Sequence, residues 1–424
     1  MENFGHSDAL LRGRNVEVLS EADRKLTTAL VLGVLRWQID LDRRFRLLLK
    51  HPNAKLDAEV LIALRLGAFQ LLHMDRIPAR AAIDESVELT KEAGHRFASG
   101  MVNAVLRKVA ALRPGHDNQS SDECKSGYPA WMVERWTATY GENAACSICR
   151  HGQEQPELSV RLSSEDVSLE LEDKGIELGS GELVTGARRV LSGDITAAFL
   201  DGRVRIQDEG SQLIAELLPR AQRILDCCAA PGGKTLIIGD RNPDAEIVAC
   251  DGSHQRLGDL RKRLTTLGDR VQCRVADATH LNSEGEFDAV LADVPCSGTG
   301  TLGRNPEIRH RLRVENLARQ AERQRAILKS ALRAARPGGF VLYSTCSLEP
   351  EENEQVIEAV LAEEANVRLV SLRSRIEELR SEGILTLEGS QRLLACVRPE
   401  GTLRLLPGTF ETDGFFAALI QKDR

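Results

Sequence analysis

Asp226-Cys-Cys-Ala-Ala-Pro-Gly-Gly-Lys-Thr235 decides how this 424-residue chain is read. A strand-like run, Arg223 to Cys228, ends in it, and a helical run begins at its glycines, so backbone N–H groups can approach a ligand there. Outward from this turn, strand-like runs alternate with helical ones: Glu246 to Asp251, Val271 to Asp277, Phe287 to Asp293 and Phe340 to Thr345. That rhythm predicts an α/β, Rossmann-like domain built on a doubly wound parallel sheet. Three of the first four strands end in Asp251, Asp277 and Asp293, along the carboxyl edge where ligands of this architecture bind. A single Asp after a strand ordinarily caps a helix. Three in register behind a glycine turn point to a ligand.

The turn differs from a Walker phosphate loop, which needs a glycine where Cys228 stands. It also lacks the Gly-x-Gly-x-x-Gly spacing of dinucleotide sites. A carboxylate at Asp251 suits the two hydroxyls of a ribose. S-adenosylmethionine has such a ribose and no phosphate. Cys228, Ala229, Ala230, Pro231, Gly232, Gly233 and Lys234 would border it, with Asp251 on the ribose, Asp277 near the adenine amine and Asp293 at the rim.

Two cysteines follow later strands, Cys296 in Asp293-Val-Pro-Cys-Ser297 and Cys346 in Ser344-Thr-Cys-Ser347. A thiolate that adds to carbon 6 of a pyrimidine makes carbon 5 nucleophilic enough to take a methyl group. Two cysteines beside a methyl-donor turn therefore suggest cytosine-5 methylation. Asp293 lies between cofactor and second substrate, where a protonated carboxyl could donate to cytosine N3. Glu349, Glu351 and Glu352 oppose ionisation of Cys346 by their charge. Activation then has to come from a helix N-terminus or a basic neighbour such as Lys234.

Elsewhere the chain divides by pattern. From Leu19 to Leu112 apolar residues recur at helical spacing, including Leu30, Val34, Leu61, Leu64, Phe97, Met101, Val105 and Val109. This predicts an all-helical domain over 1–113. The polar stretch 114–127 reads as a linker. Between 128 and 205 a helix candidate, Trp131 to Tyr140, precedes short alternating stretches, Leu158 to Leu162 and Ile195 to Phe199, which predict a small α+β module. The last domain is 206–424.

With 42% hydrophobic and 28% charged residues, the chain is expected to fold as a soluble protein of about three domains. It has no apolar run of about 18 residues and no signal-like start, so a cytoplasmic protein without a membrane partner is expected. Ten cysteines scattered over this length fit reduced thiols. Cys146 and Cys149, near Cys124 and His151, could hold zinc, but no second close pair completes four ligands, and no metal is expected. A net charge of -7 argues against indiscriminate coating of nucleic acid. Locally, nine arginines and one lysine face three glutamates between Arg304 and Arg336.

These motifs together resemble the Nol/Nop2/Sun family of RNA cytosine-5 methyltransferases. The resemblance rests on Cys228 to Thr235, Asp251, Asp293-Val-Pro-Cys296 with the following Ser297 to Arg309, and Thr345-Cys346-Ser347 with Pro350-Glu-Glu-Asn353. Gln207-Asp-Glu-Gly-Ser-Gln212 and Asp413-Gly-Phe-Phe416 match the motifs flanking the sheet. In DNA cytosine-5 methyltransferases the Pro-Cys cysteine attacks, whereas in this RNA family the Thr-Cys cysteine does. The resemblance thus implies that Cys346 forms the adduct, Cys296 assists release and Asp293 stabilises the attacked base, all in a class I S-adenosylmethionine-dependent methyltransferase domain.

Residues 1–113 resemble the NusB fold through Glu21-Ala-Asp-Arg24, Leu64 to Gln70, Pro78 to Asp84 and Val102 to Arg107. That combination is similar to the bacterial branch acting on 16S ribosomal RNA, alone or within a partly assembled small subunit. The branch usually has a further helix before the loop that here starts at about Phe4. The helical domain and the small module are expected to help grip RNA, in a monomer. Transfer RNA or another RNA as substrate, and a catalytically inactive RNA-binding assembly protein, are the alternatives.

Overall fold

A computed structural model describes residues 7–11, 13–112 and 125–424. The chain forms two compact units, Met1–Gln155 with Leu302–Arg311, and Pro156–Thr301 with Leu312–Arg424. Most of the expected linker 114–127, and the loop at about Phe4, lie outside the described residues. The module expected over 128–205 is divided: the helices Ala130–Tyr140 and Glu142–Gln153 go with the first unit, and its sheet, with the helices Glu165–Asp173 and Thr196–Leu200, goes with the second.

The first unit is helical. Glu21–Arg46 starts at Ser20, whose hydroxyl accepts the Asp23 N–H, and is followed by Ala58–His73, Ala79–Glu92 and Ser99–Ala111. Leu41, Phe45, Leu64, Val102, Leu106 and Val109 from these helices are fully or almost fully buried together. Phe97, expected on the apolar face, is instead 80% exposed, because Arg96–Ala98 is a tight 3₁₀ turn that breaks the helical phase. Ala130–Tyr140 and Glu142–Gln153 complete the unit, together with 302–311 from the later sequence.

Arg309 anchors that late segment. Its guanidinium is buried and donates to the carbonyls of Arg36 at 2.8 Å, Gly127 at 3.1 Å and Gly152 at 2.9 Å. It also lies 4.2 Å from the centroid of the Tyr128 ring. Carbonyl acceptors on its two terminal nitrogens and an aromatic face stabilise this buried cation.

The second unit holds two sheets. β1 (Leu158–Leu162), β2 (Glu177–Ser180), β3 (Ala187–Ser192) and β4 (Val204–Ile206) form an antiparallel sheet in the order β2-β3-β1-β4. The stretch Ile195 to Phe199, expected as a strand, is mostly the helix Thr196–Leu200. Asp194 accepts the Thr196 N–H at 2.9 Å, and Ile195 and Ala198, three apart, both point inward.

The larger sheet comprises β5 (Arg223–Asp226), β6 (Glu246–Asp251), β7 (Val271–Val275), β8 (Phe287–Asp293), β9 (Ala335–Thr345), β10 (Val367–Val370), β11 (Leu403–Leu405) and β12 (Phe415–Lys422). Its order is β10-β12-β9-β8-β5-β6-β7, with β11 beside β12. The strands β7-β6-β5-β8-β9 are parallel, as expected. The remainder is antiparallel, so the sheet is mixed rather than wholly parallel. The central strands are apolar on both faces and read as continuous hydrophobic runs. The chain leaves β5 toward β6 and β7, then crosses back to β8, so the crevice of this sheet opens at the carboxyl end of β5.

Candidate active site

β5 ends at Asp226, two residues earlier than its pattern suggests, because the Asp226 side chain organises the turn that follows. One oxygen accepts the Thr235 hydroxyl at 2.7 Å and the other the Cys228 N–H at 3.4 Å. Burial pushes this carboxyl up to about 7, against the hydrogen bond from Thr235 and with the help of the Asp293 charge. Gly232 then takes φ 106° directly before helix Gly233–Arg241, where a Cβ would meet Leu260 Cδ1 at 2.7 Å. Asp226 is not among the site residues expected from the sequence. Its position at the end of the first strand, like that of Asp251 and Asp293, is the signal that could have found it.

A cavity of about 650 Å3 lies at the carboxyl edge. It brings together Cys228, Ala230, Asp251, Asp277, Asp293, Cys296 and Cys346. An adjoining space of about 110 Å3 is bordered by Cys228, Ala229, Ala230, Pro231, Gly232, Gly233, Lys234 and Asp293. Every site residue read from the sequence therefore borders one of two adjacent spaces.

Within the cavity the carboxylates differ. Asp251 is buried, accepts the Ser253 N–H at 2.9 Å and lies 3.4 Å from Arg256. Asp277 lies two residues beyond β7 and is exposed. The Thr279 N–H and hydroxyl, at 2.9 and 2.8 Å, hold it below the usual carboxylate range. Asp293 engages as an acceptor on both oxygens, from Lys234 Nζ at 2.7 Å and the Ser344 hydroxyl at 2.7 Å. This differs from the donating carboxyl expected there, and the reason is the adjacent ammonium. Burial disfavours the charge on Lys234, but the charge and hydrogen bond of Asp293, with further attraction from Cys346 and Asp226, raise its pKa.

Cys296 Sγ and Cys346 Sγ are 3.4 Å apart. The Cys346 carbonyl accepts the Gly300 N–H at 2.8 Å, an approach that a Cβ on Gly300 would obstruct. Beneath the sulfurs sits Glu352, fully buried. It accepts the Ser297 N–H at 2.8 Å, the Ser347 hydroxyl at 2.5 Å, a Gln324 amide at 3.0 Å and also the Ser297 hydroxyl. In the sequence Glu352 reads only as an electrostatic obstacle. Its role as a clamp is not legible there, because two of its partners, Ser297 and Gln324, come from 55 and 28 positions away.

The two sulfurs experience opposite fields. The hydrogen bond to Cys346, burial and the Glu352 charge push Cys296 well above its ordinary value. Lys234, by contrast, attracts charge at Cys346. Cys296 therefore remains a thiol. The arrangement can hold a thiolate, a neighbouring neutral thiol and an ammonium–carboxylate pair against one planar ligand.

The donor set suits S-adenosylmethionine. The cavity size lies in the range of small-ligand sites. Asp251 presents a carboxylate for a ribose diol, and the glycines of the turn let backbone N–H groups approach the ligand. Among the described residues no cluster of three or more His, Cys, Asp and Glu side chains could hold a metal. No helix among them is long and apolar enough to cross a membrane.

Residues 215–421 match the family described as 16S rRNA methyltransferase RsmB/F, and residues 5–111 match the NusB family. The probable ribosomal RNA small subunit methyltransferase B of Bacillus subtilis is 33% identical, over 99% of this chain and 96% of its own. The ribosomal RNA small subunit methyltransferase B of Xanthomonas campestris is 32% identical, over 94% of this chain and 89% of its own. Among solved structures, that of PH0851 superposes with a TM-score of 0.74 at 26% identity, over 96% of this chain and 92% of that one.

Proposed function

The chain belongs to the RsmB/F family of 16S rRNA methyltransferases, and from that premise we propose that it methylates carbon 5 of a cytosine in 16S ribosomal RNA through a covalent adduct on Cys346. The methyl donor is S-adenosylmethionine, held by the turn Cys228 to Lys234 and by Asp251, with Asp277 toward the adenine. When bound there it supplies an electrophilic methyl group. The observation that carries the reading is the pair of sulfurs 3.4 Å apart beside the Lys234–Asp293 ion pair, in the same cavity as Asp251.

In this reading the Cys346 thiolate adds to carbon 6 of the base, and electron density moves to carbon 5. The Lys234–Asp293 pair faces the ring nitrogen and carbonyl, where Lys234 offsets the charge that builds during attack. Once carbon 5 carries the methyl group, its proton passes to a base, directly to a Cys296 thiolate formed at this stage or to solvent, the double bond between carbons 5 and 6 re-forms, and the bond from carbon 6 to sulfur breaks with its electron pair returning to Cys346. Cys296 assists this elimination, and the Glu352 clamp holds it near the adduct. The cytosine must be unstacked to reach the cavity, which costs least in single-stranded or distorted RNA. The helical unit and the four-stranded sheet help to grip that RNA.

Bisulfite sequencing of total RNA from cells with and without this chain tests the proposal. One cytosine in 16S ribosomal RNA is expected to lose protection when the chain is absent. Loss confined to transfer RNA would move the substrate, and no loss in any RNA would overturn the reaction.

A further inference from the structure

The fold sorts the arginines between Arg304 and Arg336 into different duties. Arg309 is buried against backbone carbonyls, and Arg336 pairs with Asp288 at 2.7 Å. Arg319 and Arg323 stand apart. Both are exposed on helix Glu315–Ala334, and among the described residues neither pairs with a carboxylate. Arg319, Arg323 and Ile327 recur every four residues and so share one helix face. Arg323 and Ile327 line the cavity that contains Cys296 and Cys346. Arg319 continues that face by about one turn, roughly 5.4 Å.

Three carboxylates, Asp251, Asp277 and Asp293, line the cavity, and Asp251 and Asp293 already have Arg256 and Lys234 as partners. A polyanion can insert a base there, but its phosphates lose their hydration inside and find those cations engaged, so they stay at the rim. Arginine is suited to that rim, because its planar fork meets phosphate oxygens in pairs. With a net charge of -7 on the chain, attraction for RNA has to come from such local groups.

We propose that Arg319 and Arg323 form a phosphate-binding ridge at the mouth of the cavity, gripping the RNA backbone beside the unstacked cytosine. The inference rests on the reading of this site as one that acts on RNA. It assigns these residues to positioning the strand, not to the chemistry.

The test compares the double variant Arg319→Gln/Arg323→Gln with Arg380→Gln/Arg398→Gln, an equal loss of charge at exposed arginines that do not line the cavity. Each full-length protein is titrated with transcribed 16S ribosomal RNA across a range of potassium chloride concentrations. S-adenosylmethionine binding is measured separately by calorimetry. The ridge variant is expected to bind RNA about tenfold or more weakly at low salt. Its plot of log affinity against log salt should flatten by about 1.4, that is about 0.7 for each single-strand phosphate no longer neutralised. Cofactor affinity should be unchanged, and the control variant should match the wild type. An unchanged slope in the ridge variant, an equal loss in the control, or wild-type protein that does not bind this RNA would each overturn the proposal. A ridge effect in a protein that leaves no 5-methylcytosine would support the ridge and defeat the proposed reaction.

Discussion

The carboxylate of Glu352 accepts the backbone N–H of Ser297 at 2.8 Å, across 55 positions of sequence. Because the same carboxylate accepts the Ser347 hydroxyl, the residues that follow Cys296 and Cys346 share one anchor. That anchor holds the loops whose sulfurs lie 3.4 Å apart, and its charge helps push the Cys296 thiol up.

Replacing Glu352 by Gln removes the charge but keeps the shape. Hydrogen bonds to a charged acceptor contribute about 1.5–3 kcal/mol each, so a loss of about 2 kcal/mol or more is expected. A urea titration should show a lowered midpoint for the second unit. Methylation should slow as the two cysteine loops lose their register, and an unchanged midpoint together with an unchanged rate would remove the clamp from the account.

The proposed division of labour between the cysteines predicts two different failures. Cys346→Ser should lose methyl transfer by at least about three orders of magnitude, the scale on which deletion of a nucleophile acts. Cys296→Ser should form the adduct and fail to release it. A denaturing gel should then show a protein–RNA band for Cys296→Ser alone, and the band appearing for Cys346→Ser instead would reverse the roles.

Asp226 makes stability depend on pH. Its carboxyl lies at about 7 in the fold against 3.8 as the ordinary value, so between these the unfolded chain has lost a proton that the folded chain keeps. The folded state binds more protons in that window, so stability falls as pH rises, by about 1.4 kcal/mol per unit, and levels off above about 7. Asp226→Asn should flatten this slope in thermal melts taken from pH 4 to 8. A slope equal to that of the wild type would place its source elsewhere.

Asp251→Ala should weaken S-adenosylmethionine binding by about ten- to a hundredfold, as expected for the loss of hydrogen bonds to a charged acceptor. RNA affinity should be retained, since the residue is buried on the cofactor side of the cavity. Calorimetry with the cofactor and a separate RNA titration check both halves.

Much of the architecture is legible in short stretches. Strand-like runs with apolar residues on both faces, a glycine turn and terminal aspartates are local patterns, and the parallel core forms where they indicate. The antiparallel edge is less legible, since β10, β11 and β12 are paired by contacts between residues far apart. Phe97 and the stretch Ile195 to Phe199 mislead for a related reason: a single turn shifts helical phase, and five residues do not separate a helix from a strand. Asp293 reads in the right place but with the opposite hydrogen-bonding sense, because its partner Lys234 is 59 positions away.

By itself the sequence determined the groups that border the cavity: two cysteines, a lysine, a row of carboxylates and the turn that presents them. Periodicity, turn chemistry and residue type are short-range properties that survive in the unfolded chain. Only the tertiary structure decided that the two sulfurs lie 3.4 Å apart with Cys296 held as a thiol, which arginines remain exposed at the cavity, and that Glu352 joins the two cysteine loops. Those outcomes depend on distance and desolvation between segments 50 or more residues apart, and such distances exist only once the sheet has closed.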